Sequence, residues 1–452
     1  MSTVCAIATP AAVGGISVVR ISGEKALEIA EKVFRPVSRN IRDMEGYTAS
    51  YGKIYDGGER IDDGVLLVFR APHSYTGEDV AEISCHGGIY VTRRVVTACL
   101  KAGAEPADAG EFTKRALLNG KMSLTQAEAV ADIISARGEQ LLSCSNAQRE
   151  GALFRRTEQI ADRIMEVLSQ ISAWIDYPDD DTPVVTNEWM KEKLSVIKAD
   201  FDCLLAGYDK GRLIREGISC AIVGKPNVGK STIMNMLSGQ QRSIVSGIAG
   251  TTRDVVEDTV NLCGAVLLLS DCAGIRETED EIEKIGVEIM LKKLRDSDIV
   301  LAVFDGSLPL SDEDRRLFGL LKEKTVIPVV NKNDLDSRLE IGEIEQILGK
   351  PVIISARDDT SADVLGKAIS ERLNLDKLDT NAGFLANERQ RSCVIRAADA
   401  VDNALSAIDA GLTPDAVGVD LESALDAVYE LSGKKAGEEV INEVFKRFCV
   451  GK

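Results

Sequence analysis

Apolar residues recur along this chain in two rhythms, and the change of rhythm divides it. Between residues 1 and 120 the period is mostly two. Ile16-Ser17-Val18-Val19-Arg20-Ile21 alternates as a half-buried strand does, and Val65-Leu66-Leu67-Val68-Phe69 and Val80-Ala81-Glu82-Ile83-Ser84 predict further strands. One helical stretch, 24–33, lies among them, and Gly14-Gly15 and Gly87-Gly88 mark tight loops. From 122 to 212 the period becomes helical. Ser123-Leu124-Thr125-Gln126 fits a capping box, with Gln126 three residues after the cap. Helical spacing then runs through Ala127, Val130, Ile133, Ile134 and Leu141; a second helix carries Ile160, Ile164, Val167, Leu168 and Ile171, and a third spans 187–208. Between 213 and 377 short apolar runs at 218–223, 266–270, 326–330 and 352–354 alternate with helical segments, the pattern of an α/β domain. Helices resume after about Asp376. One covers 387–410, and the next starts at Pro414 behind Thr413 as cap, presents Leu421, Leu425, Val428 and Leu431, and stops at Gly433. The last covers 438–448. Helices on both sides of an α/β region suggest insertion. The expected fold is multidomain: an α+β domain at 1–120, a discontinuous all-α domain at 121–212 and 378–452, and an inserted α/β domain at 213–377.

The length of 452 residues suits about three domains, and 44% hydrophobic content allows a sizeable core. A net charge of −18 argues against a nonspecific nucleic-acid coat, which needs a basic surface, but leaves room for RNA gripped by a local patch or shared with a partner. Ten cysteines without C-x-x-C spacing fit a reducing compartment better than a disulfide or zinc framework. The start lacks a basic region leading into an apolar one, and no run of about 18 apolar residues occurs, so a soluble cytoplasmic protein without membrane contact is expected.

The α/β region carries the chemistry. Gly224-Lys225-Pro226-Asn227-Val228-Gly229-Lys230-Ser231 matches G-x-x-x-x-G-K-[ST] at every fixed position, between a strand-length run and a helix-competent stretch from Thr232. Glycines let the backbone curl so that successive N–H groups face phosphate oxygens, and the helix N-terminus adds positive potential. Lys230 is expected to reach the β- and γ-phosphates and Ser231 to ligate Mg²⁺. Asp271-Cys272-Ala273-Gly274 follows the run at 266–270, where an Asp can hold Mg²⁺ through water and a Gly amide can meet the γ-phosphate. Asn331-Lys332-Asn333-Asp334 follows the run at 326–330. The Asp334 carboxylate can accept from guanine N1 and N2, a donor pair that adenine lacks. Ser355-Ala356-Arg357 stands where a weaker fifth element, usually S-A-K, is expected. Four elements in this order predict GTP as the ligand. Gly247-Ile248-Ala249-Gly250-Thr251-Thr252-Arg253-Asp254 is the candidate effector loop, with Thr252 suited to complete the Mg²⁺ shell; a plain glycine hinge is the alternative. Position 275 is Ile, which cannot orient an attacking water, so that group and a stabilising positive charge must come from elsewhere.

Two other features leave alternatives open. Cys85-His86 offers metal-ligand types, but no third ligand is near in sequence, which favours a loop or edge histidine. The acidic cluster at 176–181 is either a metal site or a solvated turn before the next helix.

Several stretches together make the chain resemble the MnmE (TrmE) family of tRNA-modification GTPases, in the TrmE-Era-EngA-YihA-Septin class. They are Ala71-Pro72-His73-Ser74-Tyr75-Thr76-Gly77-Glu78-Asp79-Val80, Gly110-Glu111-Phe112-Thr113-Lys114-Arg115-Ala116, Leu118-Asn119-Gly120-Lys121, Leu124-Thr125-Gln126-Ala127-Glu128-Ala129, Gly250-Thr251-Thr252-Arg253-Asp254 and the closing Cys449-Val450-Gly451-Lys452. The resemblance spans the whole chain and implies a potassium-activated GTPase that hydrolyses when two G domains meet. Asn227 would be the K⁺ ligand, with Ser246, Ile248 and Thr251 completing its cage, and Glu283 would orient the water. Cys272 and Arg357 depart from the family's usual threonine and lysine. For the first domain the resemblance implies a homodimer that binds a tetrahydrofolate derivative through Arg20, Glu82, Lys121 and Lys452. Cys449 would serve the modification chemistry as nucleophile or proton donor, although its position alone fits a small buried end-helix residue equally well. The implied partners are tRNA and the flavoprotein MnmG (GidA), which alone would carry FAD. A ribosome-assembly GTPase and a folate-binding scaffold share part of the pattern. The Cys449–Lys452 tail speaks against the first and the intact nucleotide elements against the second.

Overall fold

The computed structural model describes the chain apart from residues 38–39, 177–183, 240–257, 263, 272–291, 359, 375–382 and 447. Its contacts form two units: Met1–Ala131 with Gln148–Lys198 and Cys393–Lys452, and Asp132–Ala147 with Ala199–Ser392.

In the first unit seven strands form one sheet. They are β1 (Val4–Ile7), β2 (Ile16–Ser22), β3 (Phe34–Pro36), β4 (Thr48–Asp56), β5 (Glu59–Phe69), β6 (Val80–His86) and β7 (Glu105–Pro106). Their order is β3-β4-β5-β6-β2-β1-β7, antiparallel except for the β1–β7 pair. Val19 and Ile21 of β2, Leu66 and Val68 of β5, and Ala81 and Ile83 of β6 share one core with the helices Ala26–Val33 and Ile89–Lys101. This is the period-two alternation realised as one covered sheet face. The sequence does not announce β4, because its inward positions are Ser50, Gly52 and Ile54 while Tyr51 faces outward.

The helical part of this unit follows its periodicity. Ile160, Ile164, Val167 and Ile171 are buried on Ala152–Asp176, which packs against Pro414–Ser432 with Val417, Leu421, Val428 and Leu431 buried. The capping box forms: Gln126 N donates to Ser123 Oγ at 3.3 Å, and Ser123 N to Gln126 Oε1 at 2.9 Å. Pro414 opens its helix as expected, but the Thr413 side chain makes no cap bond. The final helix, Glu438–Phe445, ends three residues before the expected 448.

The second unit is built on β8 (Ile218–Val223), β9 (Asp258–Leu262), β10 (Ala265–Asp271), β11 (Ile299–Asp305), β12 (Val326–Asn331) and β13 (Val352–Ile353), in the order β13-β12-β11-β8-β10-β9. All neighbours are parallel except β9 and β10. One face buries Cys220, Ile222, Leu301 and Val303, the other Ala221, Val223, Val300, Ala302 and Phe304. Strands covered on both faces read as continuous apolar runs, not as alternation. β11, buried along its whole length, is such a run, absent from the expected strands. Because β8 lies between β10 and β11, its carboxyl end is a topological switch point, where open α/β sheets bind ligands.

Helical segments also belong to this unit. Leu141, Cys144, Ile214, Phe384 and Ala386 form a small cluster, and Arg215 pairs with Asp132 at 2.8 Å. The helical run expected through Leu141 is two helices, Leu124–Ser135 and Glu139–Arg149. Between them Gly138 lies so close to the β9–β10 turn that a Cβ would stand 2.9 Å from Gly264 O, and Gln140 N donates to that same oxygen at 3.2 Å. The helix expected at 187–208 is Asn187–Ala206, and a further helix that was not expected, Tyr208–Glu216, follows it before β8. Among the described residues no helix is long and apolar enough to cross a membrane.

Candidate functional site

The carboxyl end of β8 runs into the phosphate loop, and Lys230 begins the helix Lys230–Gly239. Val228 points into the core, whereas Asn227, Ser231 and Thr232 face solvent at the loop rim and the first helical turn. Gly229 has φ of +100°, and a Cβ there would lie 2.2 Å from Asn331 Nδ2. Only glycine permits this approach. Asn331 is buried and joins two loops: Nδ2 donates to Val228 O at 2.9 Å, and Oδ1 accepts from Ala356 N at 2.9 Å. The first residue of the guanine element thus bolts the phosphate loop to the Ser355-Ala356-Arg357 loop.

Lys332 donates to Asn227 O at 2.9 Å and to the Asp305 carboxylate at 2.6 Å. Asp334 accepts from Ser355 Oγ at 2.8 Å, and that bond, with Arg357 nearby, holds its carboxyl below the usual range. It is therefore an ionised acceptor at neutral pH, the state that pairing with guanine requires. Lys230 Nζ donates to Gly224 O at 2.9 Å and Lys225 O at 3.0 Å. Lys225 turns away from the loop mouth to Asp314 at 2.8 Å, a capping-box residue of the helix Asp312–Leu321. Of the expected nucleotide and metal residues, Ser246, Gly247, Ile248, Ala249, Gly250, Thr251, Thr252, Cys272, Ala273, Gly274 and Glu283 lie outside the described residues, as does the side chain of Asp271 at the end of β10.

A second constellation lies in the first unit. Arg20 on β2 and Glu82 on β6 are direct cross-strand partners, with Arg20 Nε 2.7 Å from Glu82 Oε1. The guanidinium also lies 5.8 Å from the Tyr75 ring centroid and 5.4 Å from that of Phe112. The closing segment is threaded onto this place. Gly110 N donates to Cys449 O at 3.3 Å, Phe112 N to Lys452 O at 3.1 Å, and Arg20 Nη1 to Gly451 O at 3.3 Å, while Ala109 and Val450 form a bridge. Lys452 arrives half-buried. Burial pushes its ammonium below the usual lysine range, and the charges of Arg20 and Arg149 act in the same direction. Cys449 is exposed, one of two exposed cysteines among those described. The Lys121 ammonium donates to Pro72 O at 3.0 Å.

Sequence reasoning missed Arg149, which adds a third cation near Lys452 and whose identity alone gives no signal. It also missed that the residues carrying the resemblance are largely scaffold. Arg115, 2% exposed, binds Glu78 at 3.1 Å, Glu111 at 2.9 Å and Ser2 O at 2.7 Å, and Asn119 binds Thr76 O at 2.7 Å. For His86 the fold supplies neighbours that lie far away in sequence. Its ring meets Asp62 at 2.8 Å, with Asp63 beside them. Asp62 also accepts the His86 N–H at 2.8 Å, and Asp63 is taken by the Tyr51 hydroxyl and by Arg60 at 3.1 Å. The cluster is satisfied without an ion.

The family described as MnmE helical domain matches residues 124–449, and that described as GTP-binding protein TrmE N-terminus matches residues 3–121. The tRNA modification GTPase MnmE of Acetivibrio thermocellus is 38% identical over 455 residues, covering 100% of this chain and 99% of that protein. Its counterpart in Geobacter metallireducens is 40% identical over 455 residues, with the same coverage of 100% and 99%. That of Geobacillus thermodenitrificans is 39% identical over 457 residues, again covering 100% and 99%.

Proposed function

The chain belongs to the MnmE family of tRNA-modification GTPases, and from that premise we propose that its GTP hydrolysis is potassium-dependent and serves the wobble uridine. The product would be a carboxymethylaminomethyl or aminomethyl group on uridine C5, made together with the FAD-carrying flavoprotein MnmG (GidA) from a tetrahydrofolate one-carbon unit. In this assignment residues 1–120 bind folate and form the homodimer. Residues 121–212 and 378–452 make the helical domain, and 213–377 make the G domain.

For nucleotide, the glycine at 229, the ionised Asp334 and the exposed first turn with Ser231 and Thr232 fit a phosphate and a guanine. Ser231 with Thr252 would hold Mg²⁺, and Asn227 with Ser246, Ile248 and Thr251 would hold K⁺; Asn227 is exposed, and its side-chain amide oxygen suits a hard monovalent cation. When bound, the two cations supply positive charge against the phosphate oxygens. Glu283 orients the attacking water in place of the residue that Ile275 cannot be.

For folate, the observation that carries the assignment is the threading of 449–452 beside Arg20 and Glu82. Arg20, Lys452 and Arg149 gather positive charge suited to a ligand with carboxylates. Glu82, held by Arg20 through one oxygen, retains lone pairs for an amino-pyrimidine edge. Cys449 is delivered to the same place on an exposed stretch of the tail.

A nucleoside mass-spectrometric profile of bulk tRNA from cells lacking the protein tests the whole. Loss of 5-substituted wobble uridines, restored by wild type but not by Cys449→Ser, is the expected result. An unchanged profile overturns the assignment.

A further inference from the structure

Asp305 belongs to none of the nucleotide elements, yet it ends β11 with its side chain only 4% exposed. One carboxylate oxygen accepts from Ser307 N at 3.0 Å and Ser307 Oγ at 2.6 Å; the other accepts from Lys332 Nζ at 2.6 Å. Lys332, in the guanine element, sits in the left-handed backbone region at φ of +67°, and its second bond is to Asn227 O at 2.9 Å. Asn227 is itself a non-glycine residue at φ of +64°. A lysine ammonium is a point charge on a flexible stem that does not fix its own direction. Here a buried carboxylate on one side and a phosphate-loop carbonyl on the other hold it, in a part of the fold where Asn331 already ties the phosphate loop to Ala356.

We propose that Asp305 is a positioning residue for nucleotide binding. It acts through Lys332, whose fixed ammonium holds Asn227, and with it the rim of the phosphate loop, in the binding conformation before nucleotide arrives. The inference rests on the assignment of Asn331-Lys332-Asn333-Asp334 to guanine and deepens it. Burial alone would push the Asp305 carboxyl up, but the bonds from Lys332 and Ser307 outweigh it and hold the group below its usual range. The carboxylate is therefore charged when it meets the ammonium. Without it Lys332 loses its charged acceptor, Asn227 loses its donor, and the ordering must be supplied on binding.

The test measures fluorescent GDP binding to the full chain. Asp305→Asn, which keeps shape and removes charge, is expected to weaken GDP by about tenfold to a hundredfold, the range of one charge-assisted bond. Ser307→Ala, which removes a neutral bond to the same carboxylate, should stay within about threefold. In a Lys332→Met background Asp305→Asn should add less than about threefold, because the path runs through the lysine. Wild-type affinity in Asp305→Asn overturns the proposal. An undiminished loss on the Lys332→Met background also overturns it, since Asp305 would then act by supporting β11. If Asp305→Asn fails to fold, Lys332→Met alone must show the tenfold loss, and wild-type affinity there refutes the idea. Competition with ADP separates the two levels. A wild-type protein that binds ADP as tightly as GDP sinks the guanine assignment and this proposal together, whereas guanine preference with an unaffected Asp305→Asn sinks only the proposal.

Discussion

Gly451→Ala tests how the closing segment is held. Gly451 has φ of +102°, and an added Cβ would lie 2.1 Å from Ile7 O and 3.0 Å from Ile7 C. These are backbone atoms at the end of β1, so no side-chain rotation relieves the contact. The unfavourable backbone conformation alone costs about 1–3 kcal/mol for a residue with a Cβ. Against this the segment is held by three described bonds, from Gly110 N, Phe112 N and Arg20 Nη1. At a net of about 0.5–1.5 kcal/mol each they sum to roughly 1.5–4.5 kcal/mol. Strain and overlap together match or exceed that grip, so the segment should leave its place while the sheet stays folded. Hydrogen exchange reads this directly: the Gly110 and Phe112 amides should exchange at least about tenfold faster, with the β2 and β6 amides unchanged. GTP turnover should stay within about twofold of wild type, because Gly451 belongs to the first unit and the phosphate loop to the second, while wobble-uridine modification should fall with the displaced Lys452 and Cys449. Unchanged exchange at Gly110 and Phe112 would show that the bonds adapt to a side chain, and exchange that rises across the whole sheet would show that the segment is part of the core.

Arg115→Met should cost about 3–5 kcal/mol in denaturant unfolding, because it strands Glu78 and Glu111 beside a buried site; a loss below 1 kcal/mol on the same scale would mean water replaces the guanidinium. His86 should titrate above the ordinary histidine value, raised first by its bond to Asp62 and then by that charge, and Asp62→Asn should bring it back down in an NMR titration. Since the folded value is raised, the small stabilisation from this pair is complete below the unfolded value near 6.5 and is lost as pH rises through the folded value; a ring unmoved by Asp62→Asn would refute the pairing. Glu283→Ala should keep GTP binding and lose most hydrolysis, and exchanging K⁺ for Na⁺ should lower wild-type turnover to a similar extent; equal rates in the two salts would remove the cation cage.

What the sequence discloses depends on how far apart in the chain the partners stand. The phosphate loop and the Ser123–Gln126 capping box are contiguous, so spacing alone identifies them, and Gln126 N to Ser123 Oγ at 3.3 Å is the expected bond. β11 escapes because burial on both faces erases its period, and β4 because Ser50 and Gly52 occupy inward positions that hydrophobicity cannot mark. The division of the helical run at Gly138 is set by the approach of Gly264, which no local propensity encodes. Asp62 beside His86 and Asp305 beside Lys332 are products of strand pairing across 24 and 27 positions, invisible until the sheet order is known. Resemblance, and not spacing, brings Arg20, Glu82 and Lys452 together as candidates. It does not extend to Arg149, whose charge becomes meaningful only once Lys452 is seen near it.

The bond from Arg20 to Gly451 spans 431 positions, and this sets a schedule for synthesis. At roughly 5–20 residues per second, Glu82 emerges on the order of 4–16 s after initiation, whereas the 452-residue chain takes on the order of 20–90 s. For most of its life on the ribosome, β2 therefore has its carboxylate partner and lacks its tail. The first sheet can form early around the Arg20–Glu82 pair, with the place for residues 449–452 still open. A product that ends before residue 449 keeps the G elements and lacks Cys449 and Lys452, so it would turn over GTP without the groups proposed for modification.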